Sequence, residues 1–150
     1  MKNVAVNKTV SHDYIILETF EAGLALVGSE VKSVRAGRIS LKECYAEVRN
    51  GELFLVKCHI SPYEAANIFN HDPLRDRKLL LHRREIKRLA GKIQERGLTV
   101  VPTRVYIGDK GKIKLEIALV RGKREHEKRE AIKKRDADRE IRAALKNRSR

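Results

Sequence analysis

Asn50-Gly51, set between two runs of aliphatic and aromatic residues, limits what this chain can become more than any other pair. Both residue types tolerate the positive φ of a tight two-residue turn, so the pair predicts a β-hairpin built from Leu41 to Arg49 and Glu52 to Ile60. Val100 to Ile107 and Lys112 to Val120 flank a second turn, Gly108 to Gly111. In the last of these runs Ile113, Leu115, Ile117 and Leu119 alternate with Lys112, Lys114 and Glu116, which predicts one buried face and one wet, basic face. Tyr14 to Phe20 reads as a further strand, with a turn expected at Glu21-Ala22-Gly23 and Leu24 to Val27 beyond it.

Helices are fewer. Ser29 is placed to cap a short one running through Arg35, and Gly37 to end it. From Arg83 to Glu95, Ile86, Leu89, Ala90 and Ile93 recur at helical spacing, and Gly97 supplies a stop. Between the hairpins, Ser61 to Lys78 carries two prolines and two asparagines and reads as loop. Five or six short strands with one packed helix predict a mainly β fold, an OB-fold-like β-barrel with flanking helices.

Charge divides the chain in two. Lys and Arg number 34 against 20 Asp and Glu, a net +14. Residues 1–121 carry 22 basic and 14 acidic side chains, whereas residues 122–150 carry 12 and 6 in a stretch with few apolar residues. The expected organisation is a folded body, 1–121, and a basic tail, 122–150. A surplus of this size implies a polyanionic partner. No apolar run approaches the length of a membrane span, the segment Met1 to Val10 is mixed polar, and no basic helix has a broad apolar face, so nucleic acid is expected rather than a membrane. Cys44 and Cys58 sit in strand-like runs and read as reduced, buried thiols, with the cytoplasm as the expected compartment.

Within the tail, Glu125–Arg129, Glu130–Lys134 and Asp138–Arg142 are acid-before-base pairs four residues apart, each stabilising a helix by only about 0.2–0.5 kcal/mol. Ile132, Ala137, Ile141 and Leu145 make a stripe too thin to dock firmly. The tail is therefore expected to be largely disordered alone and helical against an anionic surface. A permanently solvated helix or plain disorder remains the rival reading.

No nucleophile motif, paired-cysteine motif or phosphate loop is present, and Cys58-His59-Ile60-Ser61 reads as strand with Cys58 inward and His59 outward. The five histidines, His12, His59, His71, His82 and His126, lack paired ligand spacing and read as surface residues. No catalysis, metal or cofactor is expected. The basic clusters are Lys32, Arg35 and Arg38; Arg75, Arg77 and Lys78; and Arg83, Arg84, Lys87 and Arg88. Any one of them alone reads as a solvated face; three flanking the turns of one small barrel read as a surface for RNA backbone and shape. With seven aromatic residues, most of them needed in the core, extended base stacking is not expected. Leu79-Leu80-Leu81 cannot all face one core, so at least one is exposed or covers a neighbour; a buried connection and an RNA-facing contact stay equally open.

Several strings, taken in order, resemble the small protein B family, which binds transfer-messenger RNA. They are Phe20-Glu21-Ala22-Gly23-Leu24, Gly28-Ser29-Glu30-Val31-Lys32-Ser33-Val34-Arg35-Ala36-Gly37, His59-Ile60-Ser61-Pro62-Tyr63, Asn70-His71-Asp72-Pro73, Arg77-Lys78-Leu79-Leu80-Leu81-His82, Arg121-Gly122-Lys123-Arg124 and Lys128-Arg129-Glu130. The resemblance spans essentially the whole chain. It implies an adaptor, a monomer with RNA, that binds the tRNA-like domain of transfer-messenger RNA. It further implies action on stalled ribosomes in trans-translation, with the tail in the empty message channel against 16S rRNA near the decoding centre. Glu21, Leu80 and His82 match RNA-binding positions of the family; Lys32, Arg35, Arg75 and Lys78 are added here on physical grounds. Gly122, His126, Glu127, Lys128 and Arg129 match the tail segment that meets the decoding centre, and Lys123, Arg124, Lys133 and Lys134 are grouped with them. A structural ribosomal protein and an RNA-modifying enzyme are the competing expectations.

Overall fold

The computed structural model describes residues 2–63, 70–123 and 135–145. Among the described residues of the body, nine strands and three helices follow one another as β1 (Lys2–Val6), α1 (Val10–Asp13), β2 (Tyr14–Leu24), α2 (Gly28–Arg35), β3 (Ile39–Ser40), β4 (Tyr45–Arg49), β5 (Glu52–Val56), β6 (His59–Ile60), β7 (Arg77–Leu80), α3 (Arg83–Ile93), β8 (Leu98–Ile107) and β9 (Ile113–Gly122). Seven strands form one antiparallel sheet in the order β1-β8-β9-β2-β7-β5-β4, and β3 pairs with β6 separately. The sheet curls until β4 lies against β8, so the architecture is a small, nearly closed barrel.

Both predicted hairpins form. Arg49 pairs with Glu52 across Asn50-Gly51, whose φ angles of 51° and 75° are those of a tight turn. The strands are shorter than expected, because Glu43 and Lys57 both take positive φ and break the ladder beyond Tyr45 and Val56. At the other hairpin Ile107 pairs with Ile113, and the Gly108 amide donates to the Lys112 carbonyl at 2.8 Å.

The expected turn at Glu21-Ala22-Gly23 is not there. β2 runs unbroken through it, pairing Glu21 with Glu116, Ala22 with Leu115 and Gly23 with Lys114. Phe20 and Ala22 alternate inward on this strand, and that period-two burial outweighs the local turn signal. The polar N-terminus contributes β1, which pairs with β8. Two more expectations are corrected. The segment read as loop through Lys78 ends in β7, which pairs with β2 and β5. The cap of α2 is Val27 and not Ser29: the Glu30 carboxylate accepts from the Val27 amide at 3.0 Å, and Gly37 at φ 78° ends the helix.

The main core joins Phe20, Leu53, Leu55, Leu79, Val100, Leu115 and Ile117 to Val34 of α2 and Leu89 of α3. Alternation along β9 holds through Ile117 and then stops, because Ala118 and Val120 on its other face are covered by Val10 of α1 and by Val101. Cys44 and Cys58 are buried and unbridged, and both thiols lean on the Ser40 carbonyl, at 3.3 and 3.5 Å. The Cys44 thiol is pushed up by its hydrogen bond with Cys58 and by burial. Residues 135–145 form a helix exposed along its whole length, with Ile141 and Leu145 about 60% accessible. No helix among the described residues is long and apolar enough to cross a membrane.

Candidate nucleic-acid interface

Strand register on the outer face of the sheet builds a row across four strands: Tyr106 on β8, Lys114 on β9, Gly23 on β2 and Leu80 on β7. One step along lies a second row, Arg104, Glu116 and Glu21. β7 divides the triple leucine between two environments. Leu79 is buried in the core, Leu80 is half exposed on the outer face, and Leu81 covers the core edge. Gly23 makes room for this arrangement, since a Cβ there would sit 3.3 Å from the Leu80 Cβ.

Shallow grooves run along this row. One is lined by Glu21, Gly23, Leu80, Leu81, His82, Glu85 and Lys114. The next shares Gly23, Leu80 and Lys114 and continues between α2 and the β8–β9 turn, with Leu26 and Val31 as apolar wall and Arg35, Lys110 and Lys112 as rim. His82 precedes α3, where its amide donates to the Glu85 carboxylate at 3.2 Å. Arg35 is held in place by a 3.1 Å bond from its guanidinium to the Gly111 carbonyl, which ties α2 to the turn. Lys114 lies 3.7 Å from the Glu21 carboxylate. Burial and the nearby Glu21 carboxylate push the Tyr106 hydroxyl up to about 12, so it remains a neutral donor. The arrangement offers an apolar floor, the Glu21 and Glu85 carboxylates and a cationic rim on the sheet. It suits an RNA whose backbone is held by cations while a sugar or base edge meets Leu80 and Glu21.

Four of the expected body residues, Glu21, Leu80, His82 and Arg35, line these grooves. The other three lie elsewhere with partners of their own. Lys32 sits over the Tyr63 ring at 5.5 Å, Lys78 pairs with Glu52 at 3.0 Å, and Arg75 pairs with Glu30 at 2.5 Å. Arg77, read from sequence as part of a basic surface cluster, is fully buried. Its guanidinium donates to the Glu30 carboxylate and the Cys58 carbonyl, each at 2.5 Å, and to the Asp72 and Pro73 carbonyls. A buried charge is tolerated when it is paired and hydrogen-bonded; Arg77 is paired with Glu30, and each of its three nitrogens has an acceptor. Burial alone would raise the Glu30 pKa; Arg75, the Val27 amide and Arg77 together outweigh it and hold the carboxyl below its usual value.

His71 also departs from its surface expectation. It is buried, bonded to Ser29 Oγ at 2.8 Å and to the Ile60 carbonyl at 2.9 Å. Cys58 and His59 face inward and outward as the strand alternation requires. Lys110 and Lys112 were missed as site residues. The signal available was a lysine at every second position beside Gly108 and Gly111, but only the pairing of β9 with β2 shows that they border Leu80.

At the far end of β9, Gly122 pairs with Tyr14, and Lys123 is bonded to α1. Arg124, His126, Glu127, Lys128, Arg129, Lys133 and Lys134 lie outside the described residues, as do the pairs Glu125–Arg129 and Glu130–Lys134.

Comparison with known proteins follows the same outline. The family model described as SmpB protein matches residues 4–147. An SsrA-binding protein of Symbiobacterium thermophilum is 57% identical over 145 residues, covering 97% of this chain and 92% of that protein. One from Moorella thermoacetica is 56% identical over 148 residues, covering 99% and 96%. Among solved structures, a chain from "tmRNA-SmpB: a journey to the center of the bacterial ribosome" superposes with a TM-score of 0.68 at 46% identity, covering 85% of this chain and 93% of that one.

Proposed function

The chain belongs to the SmpB protein family, and from that premise we propose that it is an RNA-binding adaptor of trans-translation. It grips the tRNA-like domain of transfer-messenger RNA and delivers it to ribosomes stalled on messages without a stop codon. The body, residues 1–121, holds the RNA, with Glu21, Leu80, His82 and Arg35 in the groove and Lys110, Lys112 and Lys114 supplying phosphate contacts. Lys32, Arg75 and Lys78 add positive charge beyond the groove. The basic tail beyond Lys123 enters the empty message channel. There Arg124, His126, Glu127, Lys128, Arg129, Lys133 and Lys134 meet 16S rRNA near the decoding centre, while Gly122, paired with Tyr14 at the end of β9, roots the tail in the barrel.

The observation that carries the reading is that one strand serves both halves. Lys114 near the start of β9 borders the groove, and Gly122 at its end begins the tail, eight residues or about 26 Å away. A rigid strand of that length sets the distance between the two contacts, as an adaptor requires. Its site of action is the ribosome, in keeping with a cytoplasmic protein.

Truncation after Lys123 tests the division. The shortened chain is expected to bind the tRNA-like domain within about twofold of the full chain, a difference under 0.5 kcal/mol. Tagging of nascent chains on stalled ribosomes is expected to stop. RNA binding lost together with tagging would contradict the reading.

A further inference from the structure

Lys123 reads from sequence as one of the cations that meet ribosomal RNA, yet its ammonium is already engaged. Its Nζ donates to the Ser11 carbonyl at 2.7 Å and its backbone amide donates to the Asp13 carbonyl at 2.9 Å. The first bond falls within α1 and the second at its last residue, where helix carbonyls lack internal partners and attract cations.

α1 is a firm support. Val10 is 3% exposed and packs with Val101, Ala118 and Val120. The lead-in to α1 is pinned by Asn7, whose side-chain amide donates to the Leu41 and Pro102 carbonyls, both at 3.2 Å, and whose oxygen accepts from the Thr9 hydroxyl at 2.9 Å. The Asp13–Lys123 bond adds one more rung beyond Tyr14–Gly122, the end of the β2–β9 ladder. Among the described residues Lys123 is the last that is hydrogen-bonded to the body, and residues 135–145 are exposed throughout.

We propose that Lys123 is a positioning residue, a two-point latch on α1 that sets the direction in which the basic tail leaves the barrel. The inference rests on the reading above, in which the tail works inside the ribosome. Its physical basis is leverage. Helix 135–145 lies exposed beyond Lys123, so a change of direction at Lys123 displaces every cation after it. A directed tail samples fewer orientations before it finds a narrow channel, and that lowers the entropic cost of insertion. Unlike the cations further along, Lys123 acts through α1 and leaves the RNA to others.

Three variants test this: Lys123→Met, which removes the side-chain point of the latch and one charge; Lys123→Met with Ala144→Lys, which restores the charge on the exposed helix; and Lys123→Arg, which keeps a donor for Ser11. Each is measured for affinity to the tRNA-like domain, for tagging on stalled ribosomes, and for hydrogen exchange at the Lys123 amide or its replacement. With Lys123→Met, RNA affinity within twofold of wild type, faster amide exchange and tagging reduced at least tenfold are expected. Ala144→Lys should not restore tagging, whereas Lys123→Arg should retain much of it. Full tagging by Lys123→Met, or full restoration by Ala144→Lys, overturns the latch, because the lysine would then be idle or merely a cation. Loss of RNA affinity along with tagging breaks the two-part reading beneath it, and the latch falls with that reading.

Discussion

Glu30 and Arg77 show how far a residue's role can differ from its type. Both are fully buried, and together they join α2, β7 and the segment around Asp72 and Pro73. Glu30→Ala leaves Arg77 buried without its carboxylate and is expected to cost about 3–5 kcal/mol in urea denaturation at pH 7. A loss below about 1 kcal/mol would show the pair to be dispensable. The folded-state pKa of Glu30 is depressed, so its contribution is complete above the ordinary value of 4.5 and disappears as pH falls through the lower folded value. Stability of the wild type should therefore drop more steeply than that of Glu30→Gln in melts taken from pH 5 downward. Gly23 makes the complementary case on the surface. Gly23→Val places methyl groups where Leu80 now packs, and is expected to weaken RNA binding about tenfold while the melting temperature changes little. Unchanged affinity would remove Gly23 and Leu80 from the interface.

At the scale of elements, the β4–β5 hairpin is the part most directly encoded by local chemistry. Gly51 sits at φ 75°, a region that costs an L-residue about 1–2 kcal/mol. Gly51→Ala should lower unfolding free energy by that amount, read as a shift in denaturation midpoint at constant slope; no shift would mean that the turn relaxes into another type. α3 was equally legible, because Ile86, Leu89, Ala90 and Ile93 recur at helical spacing and Leu89 does enter the core. β2 was not. Its Glu21-Ala22-Gly23 has turn composition, and only the partners supplied by β9 and β7 keep it extended.

For the whole molecule, the balance of +14 matters through counterions. If body and tail together neutralise about six phosphates, affinity for transfer-messenger RNA should fall roughly a thousandfold between 50 and 200 mM salt. Lys110→Ala with Lys112→Ala should lower the slope of log affinity against log salt by about two. An unchanged slope would place the RNA away from the β8–β9 turn. Groove and latch lie at opposite ends of β9, so changes at the groove should alter RNA affinity and changes at Lys123 should alter tagging.

The order of residues by itself determined the hairpins, α3, the mainly β class, the change of character near Gly122 and the resemblance that named the RNA partner, because each depends on neighbours a few positions apart or on strings that keep their order. Tertiary structure alone decided what each charge meets. Arg35 and Arg77 look alike in sequence, yet one rims a groove and the other is buried on Glu30. Lys123 looks like any other tail cation and is spent on α1. A guanidinium or ammonium takes its role from the acceptors that meet it, and those acceptors come from strands and helices distant in the chain, brought close only when the barrel forms.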